Sequence, residues 1–428
     1  MQSTKERAGM LVRAIIVLLA LMILLTAYYW VHKPFDLTTI TILGGAALDT
    51  LTVGALFAIA GGIGRWGMAL LQQRLALDFT LLSRAERFAL AGIAGLMLIS
   101  SAVLALGMVG LFRNVFFWIP LLVIGVLLRH EVKTWLEDGR AILVAARPQT
   151  RWGWILAAFS VTLLVLALLH SLAPPYAWDG MTYHLVGPSH YLADGRITPQ
   201  PENAYFGFPK AVEMLFSVVM SLFGRDTAAA PVHVGFGILG FLAVGGLTRR
   251  YADSSIESAW LAVSLLIGSF SLWLVMTWTY VDLAVLALST LAFSLVNVWR
   301  ETKDSRWLIL LGFLCGFSLT IKYTVGLLIG ALGLYILVYQ PLRNVLRQPH
   351  QLIRDVLFFG LPIIVAFLPW MIRAALHYNN PFYPYFFDGL NWNSERALYF
   401  NQVGMGLLSH NLWWQLPIMP IAATIFGV

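Results

Sequence analysis

The run WGWILAAFSVTLLVLALLHSL, from Trp152 to Leu172, decides the fold. It carries no formal charge, and as a helix it is long enough to cross about 30 Å of hydrocarbon. It gives way abruptly to Ala173-Pro174-Pro175-Tyr176-Ala177-Trp178-Asp179-Gly180. The prolines stop the helix, and a carboxylate stands just past its end.

Outward from this run the same pattern repeats. Twelve spans are expected: Ala14–Val31, Leu37–Ile63, Phe88–Leu111, Val115–Leu128, Trp152–Leu172, Thr227–Leu247, Ala259–Tyr280, Leu283–Trp299, Trp307–Ile321, Thr324–Tyr339, Val356–Ile372 and Leu416–Val428. Val115–Leu128 is short and reads as half of a hairpin turning near Arg113-Asn114. The first run lacks a small-residue cleavage site and reads as a retained helix. Of 428 residues, 59% are hydrophobic and 11% charged, with a mean hydropathy of +0.77. A soluble domain is about 25% charged, so a soluble enzyme is excluded. The runs are continuous rather than alternating, which excludes a membrane barrel, and their apolar content excludes disorder. The fold class is an all-α polytopic membrane protein. A lone cysteine, Cys315, rules out an internal disulfide.

The net charge of +7 is a topology signal. Lys5, Arg7, Arg13 and the loops Arg65–Arg87, Arg129–Arg151, Arg249/Arg250, Arg300–Arg306 and Arg343–Arg354 hold 20 of the 28 cations. With twelve alternating spans all of them fall on one side, which the positive-inside rule makes the cytoplasm, N-terminus included. No clustered basic face on a soluble domain exists, so no nucleic-acid partner is expected.

Two long segments are then left outside, at about 173–226 and 376–415. Each is expected to carry short amphipathic helices, such as Lys210–Phe223 in the first. Long outer loops are usually functional, although their aromatics also suit an interfacial belt. No phosphate-cradling loop, HExxH or Ser/His/Asp order is present, and ATP-driven transport is not expected. The candidates are ionisable groups at the outer boundary. Asp179 can take a proton from a hydroxyl, or merely cap a helix. Asp282 lies in a nearly unbroken apolar stretch, where such groups tend to be functional, or it forms a tight turn. Lys322 either snorkels or meets a lipid phosphate as a point charge. Lys210, Arg225, Arg373 and Arg396 are weaker members of this set. His184 and His190 do not have metal-ligand spacing, and Asp49 reads as a helix-contact residue.

The order of these features resembles the GT-C glycosyltransferases that use polyprenyl-phosphate sugars, especially the protein-mannosyltransferase and aminoarabinose-transferase families, from about Arg151 onward. The carrying residues are Asp179 with Tyr183, the Phe206–Pro209 segment, Leu222-Phe223-Gly224-Arg225-Asp226, Asp282, Thr320-Ile321-Lys322 and Pro369-Trp370. Two departures are visible. Gly180 stands where a second acid is usual, and Gly207-Phe208 replaces a Glu-Lys pair, with Lys210 just after.

The resemblance implies a GT-C-like bundle, with residues 1–150 as a four-helix accessory region and 151–428 as the catalytic core. The chain stops inside an apolar run, where those families continue. It implies an inverting hexosyl- or pentosyltransferase working at the outer face of the cytoplasmic membrane. Its partners are a polyprenyl-phosphate-linked sugar, a lipid, glycan or protein acceptor, and membrane lipids. Asp179 and Asp282 are the catalytic candidates. Tyr183, His184, Lys210, Lys322, Arg373 and Arg396 are the substrate-binding ones. A divalent metal is the one cofactor the resemblance allows, with no ligand set assigned. The competing reading is a transporter or flippase of lipid-linked sugars, which calls for inverted repeats that the sequence does not display.

Overall fold

A computed structural model describes residues 37–252, 254–339 and 349–396, with parts of 17–31. The chain divides into two compact units, Met1–Leu51 and Thr52–Val428. In the first unit the helix α1 (Leu19–Tyr29) is described, and α2 (Leu37–Leu75) begins there. Asp49, within α2, is buried.

The described residues are almost wholly helical. After α2 come α3 (Arg84–Met108), α4 (Asn114–Leu127), α5 (Arg129–Ala145), α6 (Arg151–Ser171), α7 (Val186–Asp194), α8 (Ala211–Phe223) and α9 (Ala229–Tyr251). The remaining helices are α10 (Ile256–Ile267), α11 (Phe270–Met276), α12 (Asp282–Thr302), α13 (Arg306–Leu319), α14 (Gly326–Tyr339) and α15 (Pro349–Tyr378). Among the described residues six helices are long and apolar enough to cross a membrane, or up to eight if each bent pair is one span. Three further expected spans correspond to the shorter helices α1, α13 and Tyr323–Tyr339. The twelfth, Leu416–Val428, lies outside the described residues.

Two expected spans are bent. The helix expected over Val115–Leu128 runs into α5 with an 81° turn, and the one expected over Ala259–Tyr280 breaks into α10 and α11 at 79°. The second break falls at Gly268-Ser269, where Ser269 takes an extended backbone.

Helix starts are set by local chemistry. Ser83 and Glu86 form a reciprocal capping box at the head of α3, satisfying two otherwise orphaned donors. Glu86 is fully buried, and Arg250 Nη2 donates to it at 2.8 Å. Close helix approach rests on small residues. A Cβ on Gly64 would sit 1.8 Å from the Ala91 carbonyl oxygen, and one on Gly95 equally close to that of Ala60. Without side chains there, α2 and α3 pack backbone to backbone, the usual device where lipid removes the hydrophobic drive between helices.

Helix α8 departs from an interfacial, one-sided helix: Ala211 through Met220 are all buried. Its polar groups are met internally. Ser217 Oγ donates to the Glu213 carbonyl, and the Ala211 carbonyl accepts from Ser100 Oγ. Trp118 Nε1 donates to the Val218 carbonyl.

Candidate active site

After α6 ends, Pro174 and Pro175 deny the chain helical hydrogen bonds until Asp179. There a π-helical turn, Gly180–His184, begins, closed by Leu185 N donating to the Gly180 carbonyl at 3.0 Å. Such turns concentrate at functional sites. Tyr183 comes four residues after Asp179, whose carboxylate acts electrostatically on its phenol. Burial first, then Asp179, pushes the Tyr183 phenol above its ordinary range. Its ring stacks on Tyr205, centroids 4.6 Å apart. A Cβ on Gly180 would lie 3.0 Å from Thr279 Oγ1, so the position where the resemblance leads one to expect a second acid is packed against a neighbour.

Beneath this turn lies a buried ionic group. His184 Nδ1 is 2.7 Å from Glu213 Oε1, and Lys210 Nζ is 3.5 Å from the same oxygen. Lys210 also lies over the Tyr183 ring, 4.9 Å from its centroid. Burial pulls the Lys210 ammonium below its ordinary pKa against the pull of Glu213. Burial alone would raise Glu213, but Lys210 and His184 outweigh it and hold the carboxyl below its usual value. The second carboxylate oxygen of Glu213 is buried without a hydrogen-bond partner among the described residues.

Asp282 opens α12, where the helix dipole favours a negative charge. Lys322, in the break between α13 and α14, donates to it at 2.7 Å. Both side chains are exposed by about two-fifths or more, 40% for Asp282 and 46% for Lys322. His233 anchors the turn from the α9 side. Its Nδ1 pairs with the Trp278 carbonyl at 3.0 Å, and Leu283 N donates to Nε2 at 2.9 Å. These two bonds assign the imidazole its neutral tautomer and fix the backbone beside Asp282. Tyr280 lies within electrostatic reach of both Asp179 and Asp282, and its ring sits 5.6 Å from that of His184.

Arg373 and Arg396 serve the loops. Arg373 is buried, its guanidinium donating to the carbonyls of Phe206 (2.6 Å), Gly207 (3.0 Å) and Phe208 (3.3 Å) and to the Tyr191 hydroxyl (3.1 Å). It thereby clamps the segment that leads into Lys210. A Cβ on Gly207 would fall 2.1 Å from Tyr383 Cδ1, so only glycine lets the two loop segments lie this close. Asn391 Nδ2 donates to the Pro201 carbonyl, and Arg396 Nη1 to the Asn391 carbonyl. Tyr378 Oη accepts from Gln200 N.

The structure therefore brings Asp179, Tyr183, His184, Lys210, Asp282 and Lys322 to one end of the bundle. It turns Lys210 and Arg373 inward onto protein partners. Among the described residues no three His, Cys, Asp or Glu side chains converge as a metal site. Glu213, His233, Tyr205 and Tyr280 were not singled out by the sequence reading as site residues. For Glu213 a signal existed: an acid three residues after Lys210, inside an apolar stretch.

The chain matches no curated protein and no solved structure. A family model does match, over a segment that contains Lys210, Glu213, His233, Asp282 and Lys322 but stops short of Arg373 and begins after Asp179. Over residues 209–370 the chain matches the dolichyl-phosphate-mannose-protein mannosyltransferase family, one of the GT-C superfamily.

Proposed function

We propose that this multi-pass membrane protein is a glycosyltransferase that moves a sugar from a polyprenyl-phosphate carrier to an acceptor at the outer face of the cytoplasmic membrane. Residues 151–428 form its core and residues 1–150 an accessory region. The observation that carries the reading is the Asp282–Lys322 pair, a half-exposed acid and cation within the family-matched segment, at the same end of the bundle as Asp179.

Asp179 is the general base. It takes the proton of the acceptor hydroxyl or amine as that atom bonds to the sugar's anomeric carbon. The bond from that carbon to the phosphate oxygen breaks, and polyprenyl phosphate leaves with the electron pair. The leaving group is already a good one, so its protonation is not required. Lys322 exchanges Asp282 for the departing phosphate, and Asp282 orients the ammonium until then; such preorganised charge is commonly the largest contribution to catalysis. Tyr183 and Tyr205 offer a stacked aromatic wall to the sugar. Lys210, His184 and Arg373 support this surface from behind, and Arg396 holds the second loop over it. A single displacement of this kind inverts the anomeric centre. The acceptor is a lipid, a glycan or a protein.

Transfer of radiolabelled sugar from a polyprenyl-phosphate donor by the purified chain is the test. Donor consumption with a glycosylated product supports the reading. Movement of intact lipid-linked sugar between leaflets without cleavage would replace it with a flippase. Orientation is tested with Cys315 replaced and single cysteines at Ser189 or Ala145. An impermeant thiol reagent should label the first and spare the second in intact cells.

A further inference from the structure

We propose that the end of the bundle opposite this site holds a second binding site, for a phospholipid with an anionic headgroup drawn from the adjacent leaflet. A cleft of about 680 Å³ opens between the start of α3, the α5–α6 connection, α9 and α10. Its walls are apolar, formed by Val161, Leu164, Ile238, Leu242, Val263 and Ile267 among others. Three arginines line it, Arg84, Arg249 and Arg250, and no acidic residue does.

The arginines are not equivalent. Arg250 is fixed, donating to Glu86 Oε1 at 2.8 Å and to the Leu81 carbonyl at 3.0 Å. Its Nε is buried and has no hydrogen-bond partner among the described residues, an unmet donor on a charged group. Arg84 and Arg249 are exposed; Arg84 Nε stands 4.0 Å from Asp138 Oδ1 in a loose, solvated pair, and Arg249 Nε donates to the Ser254 carbonyl at 3.1 Å. Trp260 also lines the cleft, with Nε1 donating to the Ala146 carbonyl at 2.8 Å, the amphipathic posture that tryptophan takes at a membrane interface.

The dimensions suit one leaflet. From Arg249 to Ile238 along α9 is about 16 Å at 1.5 Å per residue, half of a hydrocarbon core about 30 Å thick. A phosphate at the arginines therefore places an acyl chain against the apolar walls. A soluble phosphate would meet the cations and leave those walls unfilled. The site is also separate from the proposed catalytic one: His233 and Arg249 lie on the same helix about 24 Å apart.

The test uses the purified full-length chain in a neutral detergent, titrated calorimetrically with dioctanoyl phosphatidylglycerol, dioctanoyl phosphatidylcholine and glycerol 3-phosphate. Phosphatidylglycerol should bind saturably and about tenfold or more tighter than phosphatidylcholine, since each membrane-surface cation contributes appreciably to anionic-lipid affinity. Glycerol 3-phosphate should not bind measurably. The double variant Arg84→Gln/Arg249→Gln, both positions exposed and the fold checked by its unfolding midpoint, should lower phosphatidylglycerol to the phosphatidylcholine level. Equal affinity for the two lipids in the wild type overturns the proposal. So does glycerol phosphate binding as tightly as phosphatidylglycerol, which marks a free-anion site, or wild-type affinity in the double variant. None of these readings depends on sugar transfer, so the proposal stands or falls apart from the catalytic one.

Discussion

Two ionic groups sit near one another at the same end of the bundle, and they differ in their access to water. Lys210, Glu213 and His184 have side-chain exposures of 2%, 3% and 6%. Asp282 and Lys322 stand at 40% and 46%. Removing a charge from water costs several kcal/mol per ion even after relaxation, so the buried group is held together by the cost of separating its charges. The exposed pair is screened, and pairs of that kind contribute about 0–1 kcal/mol. Lys322 can therefore exchange its carboxylate for a phosphate at little cost, whereas Lys210 cannot. Cations that look alike in the sequence divide into one available to a ligand and one that supports the surface above it.

The largest expected effect lies on the exposed side. Asp179→Asn should fold normally, keep donor binding and lose about 10²–10⁴-fold in transfer, the usual contribution of a general base. Single-turnover kinetics measure it, and near-normal transfer would shift the base to Asp282. On the buried side, Glu213→Leu should destabilise the protein by about 3–5 kcal/mol, because it strands Lys210 without a counter-charge. Lys210→Met combined with Glu213→Leu should recover most of that loss. Thermal unfolding of the purified variants would erase the contrast if the single change proved silent.

Lys322→Ala should do the reverse of Glu213→Leu. It should raise the KM for donor and lower kcat while moving stability by no more than about 1 kcal/mol. Wild-type kinetics at limiting donor would reduce Lys322 to a snorkelling residue. The smallest effect concerns pH. Glu213 is held below its ordinary value, so its contribution to stability is complete above the unfolded carboxyl pKa of about 4.3 and is lost as pH falls through the lower, folded one. Acidification should therefore cost the wild type more stability than Glu213→Gln, by unfolding midpoints compared at pH 6 and pH 3. Parallel losses would remove Glu213 from the acid transition.

The six to eight apolar spans were legible because lipid demands long uncharged runs, and Trp152–Leu172 matches α6 to within a residue at each end. Bends were not. Gly268-Ser269 interrupts no hydrophobic pattern, and the 79° turn there depends on how α10 and α11 pack against α6. Among the site residues, Asp282 and Lys322 stood out as charges in apolar surroundings, but nothing in their separation of 40 residues announced that they meet. Lys210 and Arg373 were legible as cations and illegible in direction, since burial is decided by the packing of α8 and the outer segments. Gly180 read as a missing acid; its contact with Thr279 supplies a steric reason for the glycine.

Helix α9 carries a consequence of its own. Its hydrogen-bond ladder runs unbroken from Ala229 to Tyr251, and it is packed against α3, α8, α10 and α12. One end holds His233 against the Asp282 turn, and the other presents Arg249 and Arg250. Both ends therefore hang on one continuous helix, with Arg249 16 residues after the imidazole of His233. A substitution that breaks α9 between them is expected to disturb the Asp282 turn and the arginine cleft together.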